Sequence, residues 1–406
     1  MAKYFWLLFL LFFKQIAQGD ENLILSLENA KEIALKNNPE YQIQLKRIDL
    51  QKGWYWSELM PESPELGMEV EEVPLNLPYS SYGERKLFIS QGFDFPTNYL
   101  FRHMMNRAKI QQEMTTFKQF KRELFFQVEQ AYWSLVLQNE LLSLAKKNLE
   151  LSQNFFDKSK RSYELGEIDR LTMLKAKVNL GATNQKMIAV QMDLAASLAH
   201  LRQVLGLNTM KISTIDSLSD KIDFIATEKL KSGLISHPAL QSAQLAKQAM
   251  ANARRLAYSS FLPQISLTYF KQKINRDDFW GGEVSLSLPL WFMKQKGIIQ
   301  QATAKRRIAD YFYTAEQLRL NRELDQAIAH YKKAANEMRL YQTDLLQEAE
   351  EVFHIAQQSY AVGEIGYLDF IDAQQTLIQT QQDYLQSQYN FKIEKANLIR
   401  LTGIEF

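Results

Sequence analysis

Cysteine is absent from the chain, and its absence removes disulfides, thiolate metal ligands, a thiol nucleophile and any lipidated N-terminal cysteine. Proline is scarce, with nine in 406 residues. Together with a mean hydropathy of −0.31 and 46% hydrophobic residues, that scarcity suits long, surface-rich helices better than one compact globule, so an elongated molecule is expected. Charge of one sign is lacking too. The formal net charge is +2 and the basic residues are interleaved with acids, which gives no case for nucleic acid and leaves no acidic tail. The five histidines, His103, His200, His237, His330 and His354, are scattered, and none pairs with another at ligand spacing. His103-Met104-Met105 carries soft-metal donors, but a metal site needs several convergent ligands and a helix start explains these residues as well, so no metal is assigned. No Ser/His/Asp arrangement, phosphate loop or dinucleotide fingerprint is visible. Neither catalysis nor a cofactor is expected, and Tyr132, Trp133 and the Phe155-Phe156 pair read as packing residues.

Long apolar runs are limited to one. Lys3 supplies positive charge, Tyr4 to Phe13 are apolar, and Ala17-Gln18-Gly19 offers small residues for cleavage before Asp20, which reads as a secretory signal peptide over residues 1–19. A spanning helix needs about 20 apolar residues. Any membrane insertion must therefore use strands of a closed barrel.

What the chain does have is a repeated stretch. Arg161-Ser162-Tyr163-Glu164-Leu165-Gly166-Glu167-Ile168 returns as Gln358-Ser359-Tyr360-Ala361-Val362-Gly363-Glu364-Ile365, an offset of 197 residues. Leu205-Gly206-Leu207 and Thr402-Gly403-Ile404 keep that offset, so a whole unit is duplicated. In each copy a helical pattern runs into glycine and another starts directly afterwards, which predicts the tip of a helical hairpin. The expected organisation is a first repeat over 20–206, a linker over 207–227 and a second repeat over 228–406.

Each repeat opens with a helical region broken at Asn38-Pro39 or His237-Pro238. After Pro61 and Pro64, or after Pro263, the periodicity changes to alternation. Leu66, Met68 and Val70 alternate with Gly67, Glu69 and Glu71; Leu87, Ile89, Phe93 and Phe95 share one parity. Strands are thus predicted at about 65–73 and 85–95, with Pro74 to Gly83 as the loop between them, and in the second repeat at about 264–273 and 282–290, on either side of Asn275 to Asp278. Four strands cannot close a membrane barrel, because the smallest such barrels need about eight, so an oligomer must complete it.

After each hairpin a very long helix is predicted, from about Thr97 to Leu165 and from about Met293 to Val362. A helix of about 68 residues is roughly 100 Å long, and the two shorter helical regions of a repeat, stacked end to end, nearly match it. Val128, Leu135, Leu142, Leu149, Phe156 and Tyr163 recur at spacings of seven, with Ala131, Gln138, Ala145, Ser152 and Ser159 three positions on. Leu346, Phe353 and Tyr360, with Ala349 and Ala356, repeat the pattern. A seven-residue period marks a coiled-coil seam, and small residues allow close helix approach.

The duplicated plan, the tips with Gly166-Glu167-Ile168 and Gly363-Glu364-Ile365, and the continuation Tyr367-Leu368-Asp369-Phe370-Ile371-Asp372-Ala373 together resemble the TolC-like outer-membrane efflux protein family over essentially the whole mature chain. The resemblance implies a mainly α fold with membrane β-barrel strands. Three chains would form a 12-stranded β-barrel continued by a periplasmic α-helical barrel. It further implies a passive exit duct in the outer membrane of a Gram-negative bacterium, in contact with outer-membrane lipid, docked on a periplasmic adaptor protein that joins it to an inner-membrane pump. Gly166, Glu167, Ile168, Gly363, Glu364 and Ile365 would meet the adaptor. Asp369 and Asp372 match the acidic positions lining the family's periplasmic aperture, where carboxylates three apart on one helix could form rings that favour cations. Their counterparts in the first copy are Thr172 and Lys175, and acids near a helix start also serve the helix itself. Many relatives carry a lipidated cysteine after the signal; this chain would be held by its barrel alone. Relatives of this length and plan include heavy-metal exporters, although cargo is chosen by the pump. A competing expectation is a secreted periplasmic coiled-coil scaffold or adaptor without a membrane pore, its hairpins belonging to a small soluble sheet.

Overall fold

A computed structural model describes residues 22–73, 75–76, 78, 82–208, 211–222, 227–275 and 277–404. The signal peptide expected at 1–19 lies outside the described residues. In chain order the elements are β1 (Asn22–Leu25), α1 (Leu27–Asn37), α2 (Pro39–Leu59), β2 (Glu65–Glu71), β3 (Glu84–Phe93), α3 (Pro96–Glu164), α4 (Arg170–Leu205), β4 (Lys211–Thr214), α5 (Thr227–Ile235), α6 (Pro238–Tyr258), β5 (Gln264–Ile274), β6 (Asp277–Ser287), α7 (Phe292–Leu340), α8 (Leu346–Ala361) and α9 (Tyr367–Thr402). A π-helical turn, Tyr341–Leu345, separates α7 from α8. The described chain divides into two compact units. One gathers the residues up to Gln42 with 120–235 and 321–404; the other comprises 43–119 and 236–320.

The second unit holds an antiparallel four-stranded sheet in the order β2-β3-β5-β6. Its register sorts the side chains into two faces, because residues alternate along a strand and direct cross-strand partners share a face. Leu66, Ile89 and Tyr269 form one row, Met68, Leu87, Lys271 and Trp280 the next, and Phe93, Ile265 and Leu286 a third. All three rows lie on the same face. Leu66, Met68, Val284 and Leu286 are exposed there, so this face is mainly apolar and, among the described residues, uncovered. The opposite face carries Glu65, Ser90, Thr268 and Glu283 in one row, where the Ser90 hydroxyl lies 3.1 Å from that of Ser266 and 2.8 Å from that of Thr268. Alternation of apolar and polar faces without an apolar partner layer is the pattern of a membrane barrel wall.

The strand limits differ slightly from the pattern-based ones. β3 stops at Phe93 because Asp94 turns to pair with Arg102 and Pro96 opens α3. β6 begins at Asp277, earlier than the alternation suggested, since Asn275 takes a left-handed conformation (φ 55°) and tightens the hairpin. The segment read as a linker, 207–227, is also more than a connector. Its Lys211–Thr214 strand pairs in parallel with Asn22–Leu25.

In the first unit, Leu25, Leu124, Val128, Tyr132, Leu135, Leu201 and Leu205 form a buried core. The Tyr132 hydroxyl stands 2.7 Å from Asp216 Oδ2 and 2.9 Å from the Leu25 carbonyl, one proton between two acceptors. Burial, then the hydrogen bond and charge of Asp216, push the Tyr132 phenol up. Asp216 Oδ2 also accepts from the Leu27 amide at 3.0 Å, so a single carboxylate fixes the start of α1. At the break after α1, Asn38 donates from Nδ2 to the Val204 carbonyl (2.8 Å) and accepts at Oδ1 from the Tyr41 amide (3.0 Å), which satisfies the interrupted backbone. Nearby, Asp220 holds Lys392 at 2.9 Å and Lys395 at 3.8 Å, and the Lys392 ammonium stands 4.4 Å from the Trp133 ring centroid.

The seven-residue seam of α3 is two-sided. Val128 and Leu135 are buried, but Tyr163 at its lower end is exposed. The small stripe behaves oppositely. Ala145, Ser152 and Ser159 stay buried, and the Ser152 hydroxyl lies 3.2 Å from that of Thr183 on α4. The larger stripe goes from buried at Val128 and Leu135, through half-buried at Leu142, Leu149 and Phe156, to exposed at Tyr163, while small residues allow close helix approach along the whole length. The second long helix is interrupted by the π turn, unlike the uninterrupted run its sequence pattern predicts, and π turns leave no mark in hydrophobic spacing.

Candidate functional site

The tips of the two helical hairpins, both in the first unit, are built alike. Gly166 has φ 78° and Gly363 φ 83°, conformations that cost a side-chain-bearing residue about 1–2 kcal/mol. At the first tip the Gly166 amide donates to the Tyr163 carbonyl (3.0 Å) and the Glu167 amide to that of Ser162 (2.9 Å). At the second, Gly363 donates to Tyr360 (3.2 Å) and Glu364 to Ser359 (2.9 Å). This pair of bonds is the Schellman ending, which uses the orphan carbonyls of a helix C-terminus. Gly166, Glu167, Gly363 and Glu364 are exposed, and Ile168 and Ile365 half-buried. A Cβ on either glycine would meet nothing within 4 Å. Glu364 accepts from the Ser359 hydroxyl at 3.0 Å, a bond that Glu167 does not make among the described residues.

The helices that leave the tips start differently. Asp169 caps α4 by accepting from the Thr172 amide at 2.7 Å. The hydrogen bonds from Thr172 hold its carboxyl below the usual range. At the second tip the corresponding residue is Gly366, which has no side chain to offer, and Asp369 reaches back to accept from the Gly366 amide at 3.2 Å. The capping carboxylate has moved three residues along the helix. Asp372 is exposed one turn further on. The two candidate aperture residues are thus unlike in engagement, Asp369 serving the end of its own helix.

Between the tips lies an aromatic cluster. Phe155 of α3 stacks on Phe370 of α9 with centroids 5.1 Å apart, and reaches Tyr360 at 5.7 Å and Tyr367 at 5.5 Å. Tyr360 in turn stacks on Phe370 at 5.0 Å. Burial pushes the Tyr360 phenol up; burial and then the neighbouring Tyr360 do the same for Tyr367. Beside these rings opens a cleft of about 720 Å³ whose walls include Glu167, Ile168, Gly363 and Ile365, bringing four of the six expected docking residues to one place. The sequence marked Phe155 as packing, but its partner on the other hairpin had no signal in spacing.

Among the described residues no group of three His, Asp or Glu could hold a metal ion. His103 Nδ1 lies 2.8 Å from the Tyr55 hydroxyl, and Met105 is buried. Likewise, no described helix is long and apolar enough to cross a membrane.

Residues 87–207 and 230–404 match the family described as outer membrane efflux protein. The chain belongs to the outer membrane efflux protein family. Its place is the outer membrane of a Gram-negative bacterium, reaching into the periplasm, and members of the family are channels, not enzymes. The cobalt-zinc-cadmium resistance protein CzcC of Cupriavidus metallidurans is 21% identical over 380 residues, covering 89% of this chain and 86% of that protein. A membrane protein from Pseudomonas aeruginosa superposes with a TM-score of 0.83 at 17% identity, over 93% of each chain. The CmeC outer membrane channel of Campylobacter jejuni gives 0.80 at 17% identity, over 93% of this chain and 85% of that one. The fold shared with these structures therefore spans 93% of the chain.

Proposed function

We propose that this efflux protein is the passive outer-membrane exit duct of a tripartite system, fed by an inner-membrane pump through a periplasmic adaptor. The observation that carries the reading is the sheet: its apolar face is uncovered, and β2 and β6 have open edges among the described residues. Three copies joined edge to edge would give twelve strands with lipid outside and water inside, a size at which barrels are stable. Such a homotrimer has no edge left to pair. The duplicated units supply two tips per chain, and the exposed Gly166-Glu167 and Gly363-Glu364 turns, with Ile168 and Ile365 beside them, are the adaptor-docking surface. Asp369 and Asp372 would face the aperture as rings of carboxylates. Of the two, Asp372 has the side chain freer to meet a passing cation, given the capping role of Asp369. Similarity to a cobalt-zinc-cadmium resistance protein makes metal ions one cargo to examine.

The deciding experiment is extraction of the outer membrane in detergent, followed by cross-linking and electrophoresis with and without boiling. A heat-modifiable trimer is expected. Recovery of the protein as a soluble periplasmic monomer would sink the proposal in favour of a scaffold.

A further inference from the structure

One cross-strand row on the polar face of the sheet has no polar side chain, and Phe279 and Ile274 stand in the rows that follow it. In register, Gly67 of β2, Phe88 of β3, Phe270 of β5 and Gly281 of β6 stand side by side. A Cβ on Gly67 would sit 2.3 Å from Phe88 Cζ, and one on Gly281 2.4 Å from Phe270 Cζ. The far end of each ring therefore fills the space that a side chain on the glycine beside it would take, and the row is an aromatic strip. Part of this arrangement is structural, since an aromatic covering a glycine in an edge strand supports the sheet. The strip also meets charge. Lys86 Nζ stands 4.6 Å from the Phe270 centroid and 3.8 Å from Glu69 Oε2, so one ring already receives a cation. Among the described residues no cation stands over Phe88.

The rest of the face sets the sign of what could approach. By register and alternation it carries Glu65, Glu69, Glu71, Glu84, Asp277 and Glu283, with Lys86 as its one base among the described residues. Ring faces attract cations through their quadrupole, and a wall of one charge sign concentrates the opposite ion. An aromatic anion would find the rings but be repelled by the acids.

We propose that Phe88 and Phe270 form a way-station for aromatic or quaternary organic cations on the inner wall of the barrel, an inference that rests on the exit-duct reading and on closure of the sheet with its polar face inward. Threefold symmetry would place six rings at one height. The strip selects among solutes in transit without binding them tightly, as a conducting site must.

The test is current through purified channels in planar bilayers, with tetraphenylphosphonium as the probe and benzenesulfonate as the aromatic anion. Block by tetraphenylphosphonium is expected. The half-blocking concentration should rise about fivefold in Phe88→Leu or Phe270→Leu and about 20-fold in the double variant, and Phe270→Tyr should keep it near the wild-type value. Should the leucine variants fail to insert, Phe88→Trp provides the second reading, since indole is the strongest cation acceptor of the aromatic side chains and should tighten block at least about twofold. Unchanged block in the double leucine variant or in Phe88→Trp, or equal block by benzenesulfonate, overturns the way-station while leaving the duct intact. Wild-type protein that forms no conducting channel overturns both.

Discussion

Phe155 and Phe370 stack with centroids 5.1 Å apart and planes inclined by 22°, so the first helical hairpin is held to the second by an aromatic contact just above the tips. Both rings line the tip cleft, beside the residues proposed for docking.

Removing the ring should loosen the tips. Phe155→Ala is expected to cost about 2 kcal/mol, less than a fully buried phenylalanine because the residue is half-buried. Amide hydrogen exchange near Leu165 and Val362 should quicken while the amides of β3 and β5 are unaffected. Unchanged exchange at the tips would show that the stack contributes nothing to their position.

The two carboxylates proposed for the aperture, Asp369 and Asp372, should separate by readout. Asp369→Ala removes the acceptor of the Gly366 amide and should destabilise the start of α9 by about 1 kcal/mol. Asp372→Ala should leave stability within about 0.5 kcal/mol, as exposed substitutions usually do. Both should lower cation over anion selectivity in bilayers, with the larger change in Asp372→Ala. Equal selectivity to wild type in the double variant would remove the aperture assignment.

Four left-handed glycines should tolerate substitution unequally. At Gly166 a side chain meets open space, so Gly166→Ala should cost only the backbone strain, about 1 kcal/mol. At Gly206 a Cβ would fall 2.4 Å from the Asn37 carbonyl oxygen, so Gly206→Ala should cost about 3 kcal/mol. Urea unfolding followed by circular dichroism compares them, and the order is the claim. Docking follows the opposite order. Gly166→Arg or Gly363→Arg should stop export with assembly intact, and preserved efflux in both would argue against the tip assignment.

Acid should release one clasp of the first unit. Burial opposes ionisation of Asp220, but the hydrogen bond and charge of Lys392, with Lys395, outweigh it and hold the carboxyl below its usual range. A depressed folded-state pKa stabilises above the unfolded value, about 3.9, and that contribution is lost as pH falls through the folded one. Asp220→Asn should therefore lower stability by about 1–2 kcal/mol at neutral pH, between the values for exposed and buried pairs. The difference from wild type should shrink below about pH 4. A difference that persisted at pH 2 would assign the effect to packing.

Much of the fold could be read because its devices are periodic or repeated. Gly166 and Gly363 announced helix ends twice at one offset, and two positive φ angles follow from that. Alternation placed four strands because apolar residues cannot face water and lipid indifferently. What escaped was short or non-local. β1 and β4 have four residues each, too few for a period, and beside them Tyr132 and Asp216 meet across 84 residues. The shift of the capping carboxylate from Asp169 to Asp369 leaves only an acid near a helix start in the sequence, because its partner, the Gly366 amide, belongs to every residue's backbone and has no signature there. The phenylalanine strip required register, since Phe88 and Phe270 lie far apart in sequence and become neighbours only when β3 pairs with β5.

The open edges of β2 and β6 bear on the life of the chain before assembly. A solitary copy in the periplasm exposes two unpaired strand edges and an apolar face together, the combination that drives edge-to-edge aggregation. If the sheet closes into a trimeric barrel as proposed, newly secreted chains would need chaperone cover, and overproduction without matching insertion capacity should yield insoluble protein in place of a reserve of monomers.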